Sequence, residues 1–357
     1  ASGAMLGLAF LSKYFAVLLG LAYLAFVLAQ PADRRSWRGL AIAFAAVLPF
    51  AAINAWWNYN HCWANLMFNL YNRHGDAGWS LKTPLLYALS VLYMLSPLAL
   101  YQFWRGRATL GQKLAEPRAR FFMLAWVVPL AVLALLALVK QIGLHWLLSF
   151  VPFFFVAAAL LLSAAELNKS VVYLAAFSAI HVAAIVGVSM LPLEVWKSSR
   201  LYDGIVFHVK TAELLQRLEP YAGKYEFSAD GFSPAVTASY ASGKYFFVFG
   251  TASSHARHDD IVTDFRTLAG KNILVLRKNP PDPADYTPYF SKVELRQFEL
   301  RGAIYHLVLG EGFDYPGYRE GVLRPLRERY YRMPSYLPLG QCYFCERYFP
   351  DEPCPTR

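Results

Sequence analysis

The sequence predicts a polytopic α-helical membrane domain followed by a small extracytoplasmic α/β domain. Three observations carry that expectation: a shortage of charge, six long apolar stretches, and a lopsided distribution of Lys and Arg among the loops between them. Of the 357 residues, 57% are apolar, 16% aromatic and only 16% charged, with a mean hydropathy of +0.31. An ordinary soluble domain is about 25% charged, so part of this chain is expected in lipid, and a disordered chain is excluded. The shortage is confined to one half. Residues 1–191 hold 13 Lys+Arg and 4 Asp+Glu, whereas residues 192–357 hold 21 and 20. Nearly all of the net charge of +10 therefore belongs to the apolar half, which argues against a nucleic-acid-binding domain, whose cations would cluster on a soluble face.

A hydrocarbon core of about 30 Å calls for about 17–25 apolar helical residues. Six stretches come close to that length: Met5 to Leu28, Gly39 to Trp56, Thr83 to Trp104, Phe121 to Val139, Leu147 to Ala164 and Ser170 to Leu191. Threaded alternately, they leave Arg34, Arg35, Arg38, Arg105, Arg107, Lys113, Arg118, Arg120 and Lys169 on one side. Only Arg73, Lys82 and Lys140 fall on the other. Nine against three assigns the first set to the cytoplasm by the positive-inside rule, and the last helix then delivers residues 192–357 outside. An integral protein of a bacterial cytoplasmic membrane is expected. The same threading leaves residue 1 outside, so a full protein that starts in the cytoplasm is expected to carry an odd number of helices upstream of Met5.

The second half alternates helical and β-rich runs. Tyr202 to Leu218 has helical spacing, Tyr245–Phe249 and Asn272–Arg277 read as strands, and His258 to Leu268 between them can form a helix. Val293 to Leu300 and Ala303 to Leu309 flank Arg301-Gly302 as a hairpin, Tyr318 to Tyr331 reads as a last helix, and the Pro-rich tail after Met333 as irregular. The domain proper is then about 130 residues, an ordinary size.

Polar residues in costly positions are the candidates for function. Lys13 falls about two turns inside the first apolar stretch, where an ionisable group is a functional candidate by default and a snorkelling lysine is the ordinary alternative. The outer segment Asn54 to Trp63, continuing to Arg73-His74-Gly75, is rich in Trp, Asn and His. An interfacial aromatic belt accounts for its Trp and Tyr, but less well for Asn58, Asn60, His61 and Arg73. The short outer loop Lys140-Gln-Ile-Gly-Leu-His145-Trp146 offers a cation at the height of a lipid phosphate.

These segments, with Gly7-Leu-Ala-Phe-Leu-Ser-Lys13-Tyr14, resemble in order and spacing the later transmembrane helices of membrane glycosyltransferases. The similar family is that of the dolichyl-phosphate-mannose protein mannosyltransferases and bacterial aminoarabinose transferases, glycosyltransferase family 39 and its relatives with the C-type fold. The resemblance covers about residues 1–165 by motif and the exported domain by architecture alone. It implies an enzyme that moves a monosaccharide from a polyprenyl phosphate to an extracytoplasmic glycan, lipid or protein. Lys13 and Lys140 would contact the donor phosphate, and Tyr14, Asn58, Asn60, His61, Trp63, Arg73, His145 and Trp146 would line the cavity. A divalent cation is compatible with such sites, though no metal ligands are assigned and nucleic acid is not an expected partner.

The departure from the family lies in the carboxylates. Asp33, Glu116 and Glu166 fall in cytoplasmic loops, and Asp76 sits in a Gly-flanked loop that does not match the family's acidic motif. The catalytic carboxylate is expected upstream of these residues, and this chain alone is expected to be inactive. His255-Ala-Arg-His258-Asp259-Asp260 looks ligand-like, but its position suits a strand-to-helix connection capped by Asp259. Cys62, Cys342, Cys345 and Cys354 predict a disulfide in an oxidising compartment, with the pairing open. A transporter, or a membrane anchor for an exported binding domain, is the alternative. A transporter would show paired repeats and broken helices, which the sequence does not display.

Overall fold

The computed structural model describes every residue except 32, 73–77, 252–258 and 357. Arg73, Asp76, His255 and His258 thus lie outside the described residues. The chain forms two compact units, one of residues 1–56 and 75–189, the other of residues 57–74 and 190–357. The segment from Trp57 therefore groups with the C-terminal unit, which the sequence reading began at residue 192.

The elements follow in chain order. Helices α1 (Ser2–Ser12), α2 (Ala16–Leu28) and α3 (Arg34–Tyr59) come first. A short α4 (Ala64–Leu70) lies in the second unit. The first unit resumes with α5 (Lys82–Leu95), α6 (Pro97–Arg105), α7 (Arg107–Lys113) and α8 (Pro117–Ala137). It closes with α9 (Leu144–Leu147), α10 (Val151–Leu161) and α11 (Ala164–Ser189). Among the described residues α3, α8 and α11 are each long and apolar enough to cross a membrane. At 1.5 Å per residue α8 spans about 31 Å. Leu48, Ile180 and Ile185 on α3 and α11 are each about two-thirds exposed, an outward apolar surface that only lipid solvates without penalty.

The stretch Met5 to Leu28 is not one span but a helical hairpin. A Cβ on Gly20 would meet Leu6 Cδ2 at 3.9 Å, whereas fourteen residues of straight helix separate their ends by about 21 Å. The reversal falls at Lys13, whose φ of −162° and ψ of 125° end α1. Lys13 therefore sits in a turn between two helices rather than inside one. Small residues permit the fold: a Cβ on Gly3 would lie 2.3 Å from Ala43 O, and one on Gly7 2.2 Å from the Phe50 ring. The stretch Thr83 to Trp104 is also interrupted, with α5 and α6 bent by 88°. Proline disfavours helical backbone in the residue before it, and Ser96, preceding Pro97, takes φ 67° and accepts from Ala99 N through its side chain.

Hydrogen bonds define two ends of this unit. At one end Gly78 N donates to Val139 O and Ser80 N to Leu138 O, so the start of α5 and the end of α8 share a level. At the other, Arg120 donates to Ala29 O and Leu114 O, and Lys113 to Leu161 O at 2.5 Å.

The second unit is built on a sheet of order β2-β1-β3-β5-β4. After α12 (Tyr202–Val209) and α13 (Thr211–Gln216) come β1 (Glu226–Ala229), α14 (Phe232–Ser242) and β2 (Phe247–Val248). Then follow α15 (Asp259–Val262), β3 (Ile273–Arg277), β4 (Phe290–Leu300) and β5 (Ala303–Phe313). Strands β1, β2 and β3 are parallel, while β5 joins β3 and β4 antiparallel. Arg301 and Gly302 at φ 55° and 88° make the two-residue hairpin turn. Strand β3 feeds both faces of the sheet: Ile273 and Val275 join one core, Leu274 and Leu276 the other.

After Met333 most of the described tail has no regular structure, as expected, and it carries one short helix at Tyr343–Tyr348. Helices α16 (Tyr315–Tyr318), α17 (Arg324–Tyr330) and α18 (Tyr343–Tyr348) cover one sheet face. Disulfides join Cys62 to Cys342 and Cys345 to Cys354. Glu352 accepts from Arg324 at 2.8 and 2.9 Å and from Arg327 at 2.8 Å, above the Phe349 ring. With these guanidinium groups against it, and Arg324 first among them, the Glu352 carboxyl falls to about 2.

Two outcomes follow. Replacing Cys62 with Ser removes a cross-link between residues 280 apart and lowers the stability of this unit by about 2–5 kcal/mol, read as a drop in its thermal midpoint. Glu352 is depressed below its unfolded value, so its contribution is complete above about pH 4.3 and is lost as the pH falls toward 2. In Glu352→Gln that acid-dependent part of the unfolding curve disappears.

Candidate functional site

Five of the residues singled out by sequence lie in the first unit: Lys13, Tyr14, Lys140, His145 and Trp146. The hairpin turn brings two distant segments together. Lys13 Nζ donates to His145 O at 2.9 Å, across 132 residues of sequence. The adjoining Phe15 ring packs on Trp146 with centroids 4.3 Å apart, and Lys13 Nζ lies 5.5 Å from the Phe15 ring. Tyr14 donates its hydroxyl to Asn54 Oδ1 at 3.0 Å, fixing the turn to the end of α3. Lys140 opens the segment that ends in His145 and Trp146, just after the level marked by Val139 and Gly78. Gly143 has a packing reason to lack a side chain, since a Cβ there would stand 2.7 Å from His145 Cε1.

The chemistry available at this end is cationic and aromatic. Lys13 is exposed and Trp146 buried, so the ammonium group is held at the rim of an apolar wall. An ammonium group so placed has the chemistry to pair with an anion at an apolar surface. The carboxylates Glu116 and Glu166 belong to the opposite end: Glu116 precedes α8 beside Arg120, and Glu166 caps the start of α11 by accepting from Ser163 N and Oγ. Asp33 accepts from Arg35 N and Ser36 N at the start of α3.

Asn58, Asn60, His61 and Trp63 lie in the second unit, and the structure gives most of them an architectural task. The buried Asn58 accepts from Leu66 N at 3.1 Å through Oδ1, and its carbonyl accepts from His61 N and Trp63 N. His61 stacks on Trp57 at 4.3 Å with the rings 7° apart, its Nδ1 2.8 Å from Trp57 O. Trp63 donates from its indole to Pro338 O at 2.9 Å, and Cys62 N donates to Gln341 O at 3.0 Å beside the disulfide. Asn60 is partly buried in the same turn. These polar and aromatic side chains hold residues 57–72 against the chain's tail. A short loop rich in Asn, Trp and His reads the same from sequence whether it binds a ligand or a neighbouring segment.

No metal centre is built from the cysteines. Cys342, Cys345 and Cys354 lie close enough together to resemble one, but all four cysteines are spent in disulfides and offer no thiolate. The hairpin at Lys13 and its bond to residue 145 could not be read from sequence, because the apolar run on either side is continuous.

A family model described as dolichyl-phosphate-mannose-protein mannosyltransferase matches residues 1–58. Neither comparison with curated proteins nor comparison with solved structures returns a match. The matched residues include the Lys13 turn and Asn54. The match supports membrane glycosyltransferase activity in general, and with the long apolar helices it supports an integral membrane protein.

Asn58→Ala leaves Leu66 N without this acceptor and costs about 1–3 kcal/mol. The expected signature is a lower unfolding midpoint with ligand affinity at the Lys13 end unchanged.

Proposed function

We propose that this chain acts as a membrane glycosyltransferase whose donor is a monosaccharide on a polyprenyl phosphate and whose acceptor is an extracytoplasmic glycan, lipid or protein. Lys13 and Lys140 hold the donor phosphate, and His145, Trp146 and Tyr14 shape the wall beside it. The single observation that carries the reading is the Lys13–His145 contact, made where a matched family segment meets the Lys140 loop. Cations fixed there stabilise the charge that grows on a departing polyprenyl phosphate. No described residue is assigned the proton acceptor.

Chain topology supports an extracytoplasmic assignment for this end. A disulfide between Cys62 and Cys342 requires both sulfurs on one face of the membrane, so the chain between them crosses an even number of times. On this reading the shared level of Gly78 and Val139 has α5–α6 run inward and α8 return outward. The bonds of His145 to Lys13 and of Leu161 to Lys113 support reading residues 145–161 as another crossing, which α11 reverses. Four crossings satisfy the disulfide, and disulfides persist in oxidising compartments outside the cytoplasm. The Arg120 and Lys113 end then faces the cytoplasm, in keeping with its positive loops.

A second reading, a transporter, draws on the 88° break at Ser96, since discontinuous helices mark transport sites. The test separates the two. In nanodiscs, Lys13→Ala and Lys140→Ala each weaken binding of a fluorescent polyprenyl phosphate by about tenfold, equivalent to about 1.4 kcal/mol. Unchanged affinity in both variants contradicts the donor-site assignment, and substrate flux without sugar transfer favours the transporter.

A further inference from the structure

The C-terminal unit carries a cavity of about 860 Å³ at the amino ends of its three parallel strands, walled by the turns that lead into β1, β2 and β3. Its size is that of a small-molecule site. Ligands of open α/β sheets ordinarily gather at the carboxyl ends of the strands. Here the carboxyl ends of β1 and β3 meet in an internal ion pair. Asp230 and Arg277 lie 3.2 Å apart, and Arg277 also donates to the Tyr286 hydroxyl at 2.8 Å. The open volume is at the other end.

The lining of that cavity has a definite chemical character. Tyr245 is half exposed, yet its hydroxyl is fixed by donating to Asp259 Oδ1 at 2.6 Å with Thr263 Oγ1 2.8 Å away. The ring is thus held in place by its polar tip while part of its surface stays open. Tyr225 and Phe227 add two more rings, with Lys244 Nζ 5.9 Å from the Phe227 centroid. Among the charged groups, Lys271 is paired with Glu226 at 2.8 Å, and Asp264 is held by Arg266 at 2.8 Å. Lys224 and Lys244 have no carboxylate within 4 Å among the described residues. Thr267 and Asn272 also line the cavity, the Thr267 hydroxyl donating to Asp264 O and Asn272 Oδ1 accepting from Gly312 N.

Aromatic platforms beside hydroxyl and amide groups suit the C–H face and hydroxyls of a sugar, and two uncompensated ammonium groups call for a negative charge on it. We infer that this cavity is a binding site for an acidic saccharide, one bearing a carboxylate or a phosphate, separate from the Lys13 end of the chain. Lys224 and Lys244 meet the anionic group, and Tyr245 supports the ring. The site stands whether or not the transferase reading does.

The full chain, in nanodiscs at low salt, is titrated with trigalacturonate, mannose 6-phosphate, maltotriose and inorganic phosphate by calorimetry. At least one acidic sugar binds, at least tenfold more tightly than maltotriose and than inorganic phosphate. Lys224→Ala and Lys244→Ala each weaken it by about tenfold, Tyr245→Ala weakens it with the fold retained by circular dichroism, and raising the salt weakens it further. Absence of binding by both acidic sugars overturns the inference. Equal binding of maltotriose overturns the charge requirement, equal binding of inorganic phosphate overturns the saccharide, and wild-type affinity in both lysine variants overturns the location. Lys13→Ala and Lys140→Ala leave these affinities unchanged, so failure here is distinguishable from failure of the donor site.

Discussion

The Cys62–Cys342 disulfide is the constraint on which the membrane path depends. It ties the segment that follows α3 to the tail of the chain, 280 residues later, inside the same buried core. A covalent bond of that kind does not tolerate an odd number of membrane crossings between its ends. Among the described residues between them, α8 and α11 pass as unbroken spans by length, and the bent α5–α6 pair and the short α10 have to be judged by what they connect. Their terminal hydrogen bonds to Val139, Lys113 and Lys13 give the same parity as the sulfur.

That parity separates the two ends of the helical unit by chemistry as well as by position. At one end guanidinium and ammonium groups close on backbone carbonyls, with Arg120 reaching Ala29 and Leu114 and Lys113 reaching Leu161. These cations satisfy helix ends, and their loops supply the excess of Arg and Lys expected on a cytoplasmic face. At the other end the cations are fewer, and Lys13 is set in a turn against aromatic rings. A cation in that setting is the feature on which the proposed donor site rests.

Much of this was legible in the sequence. Charge depletion and hydropathy separated the helical half from the α/β half, because lipid and water select different residues along whole segments. The Arg301-Gly302 turn marked its hairpin, since both residues adopt positive φ there. Less legible were the places where one local pattern serves two structures. The run from Met5 to Leu28 is apolar throughout and conceals a reversal that depends on Gly3 and Gly7 closing against α3. Strand β1 and helix α14 escaped notice because Glu226–Ala229 is short and Phe232–Ser242 is rich in Ser and Ala. Asn58, His61 and Trp63 read from sequence as ligand contacts, and the structure adds bonds and stacking to neighbouring segments that the sequence did not show. Lys13 and His145 were both conspicuous, but only tertiary structure joins them.

The account rests most heavily on the Lys13 and Lys140 end facing the extracytoplasmic side. Because all four native cysteines are in disulfides, a single introduced cysteine reports its own location. Gln141→Cys, beside Lys140, and Gly111→Cys, in α7 where a side chain meets nothing within 4 Å, are treated in intact cells with a membrane-impermeant maleimide. The account predicts labelling at 141 without permeabilisation and at 111 only after it. Labelling in the reverse pattern would contradict it.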